Sequence, residues 1–273
     1  MTLFKIKKNR FSIIIVLVFL GILVLTLGFL GLRQLSSKTN WVWAKVKVSQ
    51  GLWWASTQKP PLWLPQAIGK GDGEYNLFGS PIVEVEEVRS YPAGDNEKED
   101  RFNIYLTVKV AADYSSSQKK FTFKNSALAV GAPIELELGN SLVSGTVIGV
   151  SSAPFEQKYV ERKVTLRKIP AFSWEYSAIK IGDEFSDGVD IVFKVLSKNI
   201  LGWANVSKSL GENRFQTLPG GSTFEIAVTA KMKLRDVGGA LIFGEEKLFR
   251  PGAVFSVATL NFDYRDFEVV SVE

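Results

Sequence analysis

Oxygen-bearing side chains gather around two Gly-Asp pairs. Asp72, Glu74 and Asn76 alternate after Gly71, and Asp183, Glu184, Asp187 and Asp190 follow Gly182. Two chemistries fit them. Calcium takes six to eight oxygens from a defined loop, with Asp72, Asp183 and Asp187 as candidate ligands. Alternatively each pair is a turn: Gly adopts positive φ without steric penalty, and Asp bonds backbone two residues on. Beyond the Asp the copies share no acidic position, which a duplicated calcium loop requires and a turn does not. The turn reading extends to Gly131 and Gly252, each of which precedes an alternating strand.

Covalent chemistry has little to work with. The 273 residues include no His and no Cys. That removes the commonest general base and metal ligand, every thiolate nucleophile and any disulfide framework. Ser116 and Lys119 have dyad spacing, but the polar run 113–120 reads as a turn, where that spacing does not bring the groups together. No acid pair stands out for glycoside chemistry. The expectation is a non-catalytic protein without cofactor or resident metal. Five of the seven Trp lie between 41 and 63. Trp63 has a counterpart in Trp174, which argues for core. Trp53 and Trp54 have none; they suit sugar stacking, the lipid headgroup level or packing between domains. With Trp203 they form the candidate binding surface.

Internal similarity shows which elements position these residues. Trp63–Asp72 matches Trp174–Asp183, with Trp, Ala, Ile, Gly and Asp coincident. Ile82-Val83 matches Ile191-Val192, Phe102–Val110 matches Phe224–Met232, and Leu128, Gly131 and Ala132 match Leu248, Gly252 and Ala253. Both units end alike, in 146–150 and 268–272. A period above 100 residues means tandem domains, not short repeats. Phe102, Ile104, Leu106, Val108 and Val110 share one face against Asn103, Tyr105, Thr107 and Lys109, the period of a half-buried strand. The fold class is therefore all-β: two tandem homologous small β-barrel or sandwich domains, of about six strands each. Boundaries fall at 41–150 and 158–273, with a linker at 151–157. Copy two carries a longer segment at 199–222, in which 201–210 suits a short amphipathic helix, capping a barrel end or forming a binding loop.

Ahead of the repeats lies a single N-terminal transmembrane helix. Phe11 to Leu32 is a run of 22 uncharged residues, and as a helix it spans roughly 30 Å, the hydrocarbon thickness. It is longer than a signal-peptide core and lacks a small-x-small cleavage pattern. Residues 1–10 form a basic tail with Lys5, Lys7, Lys8 and Arg10; residues 33–40 are a linker. The charge bias places the N-terminus in the cytoplasm and 33–273 outside. Of the net +5 charge, +4 sits in that tail. The remainder has no nucleic-acid footprint.

An N-terminal anchor followed by β-rich repeats carrying AI-x-x-GD before an "IV" strand resembles a family of membrane-anchored bacterial proteins with a domain of unknown function. The resemblance covers about residues 1–273 and implies an extracytoplasmic location without assigned activity. The turn-and-strand pattern also resembles barrel domains of membrane-fusion adaptors, but their long helical hairpin is missing. The expected partners are the lipid bilayer through 11–32 and other envelope proteins, with homo-oligomerisation compatible. The readings are a scaffold or binding module, an accessory subunit of a transport or secretion system, or a cell-wall glycan binder.

Overall fold

The computed structural model describes residues 18–26, 40–49, 60–93, 101–117, 119–203, 207–209, 215–217 and 223–273. Residues 1–40 and 41–273 are separate units. In the first, 18–26 are helical, the side chains of 18–25 are exposed, and the Thr26 hydroxyl donates to the Ile22 and Leu23 carbonyls at 3.0 and 2.9 Å. That back-bonding lets a hydroxyl sit in an apolar helix. No helix among the described residues is long and apolar enough to cross a membrane. The spanning helix expected over 11–32 is therefore not shown; 11–17 and 27–32 lie outside the described residues, as do the basic tail at 1–10 and Trp53 and Trp54.

The larger unit is built from β-strands. Its first half contains β1 (Trp41–Ser49), β2 (Gly73–Tyr75), β3 (Pro81–Pro92), β4 (Phe102–Ala111), β5 (Asp113–Ser115), β6 (Lys120–Phe123), β7 (Ser126–Leu128), β8 (Pro133–Leu138) and β9 (Ser141–Ser151). Its second half contains β10 (Tyr159–Phe172), β11 (Glu184–Ser186), β12 (Ile191–Trp203), β13 (Ser207–Ser209), β14 (Phe215–Thr217), β15 (Thr223–Val237), β16 (Ala240–Phe243), β17 (Lys247–Leu248), β18 (Val254–Phe255) and β19 (Phe267–Val272).

The two halves repeat one topology. The first sheet runs β2-β3-β4-β1-β9-β8 and the second β11-β12-β15-β10-β19-β18. All these pairs are antiparallel. Register shifts recur as well: Lys45/Val46 answers Thr165/Leu166, and Val85/Glu87 answers Val195/Ser197. Such bulges bend a sheet toward closure. The first sheet curls until the Gly139 N–H reaches the Gly73 carbonyl at 3.4 Å and the Glu137 N–H reaches the Glu74 carboxylate at 3.2 Å.

Period-two patterning fills both interiors. Val42, Ala44, Val46 and Val48 of β1 face Ile104, Leu106, Val108 and Val110 of β4 in one cluster. Val164 and Leu166 of β10 join Ile226, Val228, Ala230 and Met232 of β15 in the other. Each fully buried Val, Leu or Ile stabilises by about 1.5–3 kcal/mol. The second interior adds Phe193, Phe255, Tyr264 and Phe267, with Phe193 and Tyr264 rings 5.0 Å apart.

Two expectations are corrected. Trp63 and Trp174 are not core; they are 59% and 63% exposed. They lie in the first turns of the short helices α1 (Trp63–Ala67) and α2 (Ser173–Ala178). Only one face of so short a helix meets the sheet, and there Ile68 and Ile179, just past the last turn, are buried instead. The amphipathic helix over 201–210 is replaced by strand, because 201–203 continue β12 against β15 and 207–209 pair with 215–217. The remainder of 204–222 lies outside the described residues.

Candidate functional site

The Gly-Asp pairs are turns at matching places in both sheets. The Gly71 N–H donates to the Val85 carbonyl (2.8 Å), and the Val85 N–H returns a bond to Asp72 (2.8 Å). Gly182, Asp183 and Val195 repeat this at 3.0 and 2.9 Å. Gly131 and Gly252 make the same exchange with Val147 and Val269. All four glycines have φ between +82° and +91°, and each holds the third place of a turn closed by a bond from the fourth residue to the first. That is type II geometry, which explains Pro251 in the second place and glycine in the third.

The acidic candidates do not converge. Among the described residues no group of three or more acidic side chains could hold a metal ion. The Asp72 carboxylate accepts the Gly69 N–H at 2.7 Å. Asp183 accepts the Lys180 N–H at 2.9 Å and uses its other oxygen for Asn261 Nδ2 at 2.6 Å, tying the β11 edge to the 256–266 loop. Asp187 has a different place: it is completely buried where the two halves meet.

That junction gathers charged and polar side chains from both halves. One Asp187 oxygen accepts the Val189 and Asp190 N–H groups, both at 2.9 Å, closing the turn between β11 and β12. The other accepts Arg89 Nη1 at 2.7 Å and the Tyr91 hydroxyl at 2.6 Å, both from β3 of the first half. The Ser90 N–H donates to the Asp187 carbonyl at 2.7 Å. Arg89 also reaches Asp190 at 3.2 Å and lies 5.2 Å from the Tyr159 ring centre. Lys233 holds Asp190 at 2.7 Å, and that hydrogen bond keeps its carboxyl below the ordinary range. Burial pushes Arg89 down, but the Asp187 charge and hydrogen bond raise it further, so it stays charged.

A second contact lies across β1. Lys45 donates to Glu245 at 2.9 Å, both buried, and the more exposed Lys47 meets Glu246 at 2.6 Å. Arg235 Nη2 donates to the Glu245 carbonyl at 2.8 Å. Desolvation lowers the Lys45 pKa against the opposing pull of Glu245. Tyr91 and Tyr105, from the first sheet's outer face, pack into the second half's core, Tyr91 edge-on to Phe243 at 5.5 Å.

The chain matches no protein-family model, no curated protein and no solved structure. The resemblance to anchored β-repeat proteins therefore rests on the turn and strand motifs alone, and chemistry must be read from geometry. Three clefts of about 160, 270 and 400 Å³ open along the junction. Asp187, Asp190, Glu245 and Glu246 around them are all ion-paired. Burial pushes the Tyr159 phenol up to about 12, so at neutral pH it is no base. The arrangement joins the two sheets through buried charge pairs and shared apolar packing.

Trp203 is exposed and stacks on Phe224 at 4.8 Å, away from this junction's polar groups. Sequence reasoning missed Lys45, Arg89, Tyr91 and Glu245. A signal existed in the outward strand positions, where Tyr105 of one copy answers Ala227 of the other. Gly188 offers a local check: its φ is +104° and an added Cβ would lie 2.8 Å from the Val88 carbonyl oxygen. Gly188→Ala should therefore destabilise by about 2–3 kcal/mol, measured as a urea midpoint shift; a loss below ~0.5 kcal/mol contradicts this close docking.

Proposed function

We propose that this protein is a membrane-anchored, extracytoplasmic envelope protein whose doubled β unit acts as a non-catalytic scaffolding or binding arm. The supporting observation is the junction itself. Buried pairs Arg89–Asp187 and Lys45–Glu245 make the two halves one stiff body, and stiffness suits positioning rather than turnover. The uncharged run at 11–32, with four basic residues before it, supports the anchor and its orientation.

Fractionation tests the reading. Full-length protein should pellet with membranes, resist high salt and alkaline carbonate, and dissolve in detergent. Protease added to intact cells with a permeable outer barrier should digest residues 41–273. Recovery in the soluble fraction, or complete protection until lysis, rejects it.

A further inference from the structure

Large apolar side chains grouped in water mark a contact surface, and one such group has a defined place in the fold. The β2–β3 hairpin tip carries Leu77, fully exposed, with Phe78 and Tyr75 75% and 60% exposed. From Tyr75 to Val83 the chain has no charged residue. The acid before it, Glu74, is buried and held by Lys124 at 2.6 Å. The tip is also closed on itself. The Asn76 N–H donates to the Ser80 carbonyl and the Gly79 N–H to the Asn76 carbonyl, both at 2.9 Å. The Asn76 side-chain oxygen accepts the Phe78 and Ser80 N–H groups, again at 2.9 Å. An apolar tip whose backbone donors are already paired can leave water without stranding them.

Register fixes the end of the sheet at which this tip lies. Val42, Val110 and Val83 stand side by side on β1, β4 and β3, and Tyr75 pairs with Pro81. The tip therefore projects from the end where β1 begins. At about 3.3 Å per residue it reaches roughly 10 Å past Trp41 along the strands. Eight residues, 33–40, separate β1 from the uncharged run at 11–32, a tether of at most about 29 Å. The second half has no comparable tip: its β11–β12 turn carries Asp187 and Asp190, both engaged by Arg89 of the first half. The apolar tip thus belongs to the half joined directly to the run, at the end from which the tether leaves.

We propose that the Tyr75–Phe78 tip dips into the headgroup layer of the membrane that holds the chain, a second contact that sets the tilt of the β unit over the bilayer. The inference rests on the anchor reading of residues 11–32. A lipid surface is favoured as the occupant by the position of the tip at the tethered end, by its lack of charge and by its side chains. Phe and Tyr suit the boundary layer, where the ring meets apolar chains and the Tyr hydroxyl stays wet. The contact need not be strong. A short flexible tether holds the tip at a local concentration in the millimolar range, so an affinity too weak to recruit a free protein still keeps it docked. The anchor supplies attachment and the tip supplies orientation: an arm held at one point swivels, and an arm held at two does not.

The lack of Cys lets single thiols carry a fluorescent probe. Leu77→Cys, Phe78→Cys, Leu260→Cys and Gly21→Cys are labelled with a polarity-sensitive dye as full-length protein in nanodiscs of phosphatidylcholine and phosphatidylglycerol. Lipids bearing a nitroxide at a shallow or a deep acyl position are the quenchers. Leu260, 98% exposed on the second half, is the reference in water. Gly21 lies inside the uncharged run and reports the anchor. The shallow nitroxide should quench the probes at 77 and 78 at least ~3-fold more than the probe at 260. Leu77→Asp with Phe78→Asp should remove most of the quenching of a Tyr75→Cys probe. Both side chains face solvent, so the turn keeps its own bonds. Deep quenching at 21 with no more quenching at 77 and 78 than at 260 overturns the inference and leaves the anchor reading standing. No quenching at 21 removes the anchor reading, and the inference with it. A probe at 77 that shifts to the blue yet is not quenched assigns the tip to a protein surface, a second copy included, and also overturns the proposal.

Discussion

Asp187→Asn should destabilise the 41–273 body by about 3–5 kcal/mol, the usual result of removing one partner from a buried ion pair. The amide keeps the oxygen that closes the turn, just as Asn76 does in the first half. What it removes is the charge facing Arg89, which is 5% exposed and approached by Asp187 at 2.7 Å. The guanidinium cannot shed its proton, so it stays charged, left with only the longer contacts to Asp190 and Glu87, both at 3.2 Å, from partly exposed carboxylates. The Tyr91 hydroxyl simultaneously loses its charged acceptor. Adding Arg89→Met should recover most of the loss, because a buried apolar side chain needs no counter-charge. By comparison, Glu246→Gln at the exposed Lys47 pair should change stability by less than about 1 kcal/mol. Urea unfolding followed by Trp fluorescence at pH 7 measures all three. A loss of under ~1 kcal/mol for Asp187→Asn would show that the junction does not hold the halves together.

The second large effect is alkaline. Tyr91, Tyr105, Tyr159 and Tyr264 all have phenols raised above the ordinary value of 10, burial being the largest cause each time. Nearby carboxylates add to it: Asp187 at Tyr91, Glu246 and Glu245 at Tyr105, and Asp183 at Tyr264. Arg89 partly offsets the rise at Tyr159, which still reaches about 12. An acid with a raised folded pKa leaves stability unchanged below its unfolded pKa. Above pH 10 the unfolded chain releases protons that the fold retains, so stability falls. Each phenol still protonated steepens the fall by about 1.4 kcal/mol per pH unit. Lys45 runs the other way, since its lowered pKa makes stability rise with pH only up to 10.5. Between pH 10 and 12 the phenols should dominate and the protein should unfold cooperatively. Absorbance near 295 nm should show four of the seven tyrosines ionising only as the fold is lost. Smooth titration of all seven around pH 10 with the fold intact would contradict the buried junction.

Comparison of the two halves explains why some features were legible early. The alternation in Phe102–Val110 and Phe224–Met232 lies within β4 and β15, because side chains on a pleated strand point alternately to either face. The all-β class follows from that local rule. Type II turns are equally local: glycine tolerates the +82° to +91° φ that the turn imposes. Short-range patterns mislead where packing decides. Trp174 repeated Trp63 and suggested core, but a helix of five or six residues turns only one face inward. The 201–210 stretch has apolar residues at helical spacing, yet residues 201–203 extend a strand already paired with β15, and backbone pairing outweighed periodicity.

The residues alone specified strands, glycine turns and a duplicated order of elements, because those depend on neighbours a few positions apart. Only the folded chain decided that Asp187 meets Arg89 across 98 positions and Lys45 meets Glu245 across 200. Which outward faces become buried depends on how two finished sheets pack, and nothing in local alternation distinguishes an outward side chain that meets water from one that meets the other half.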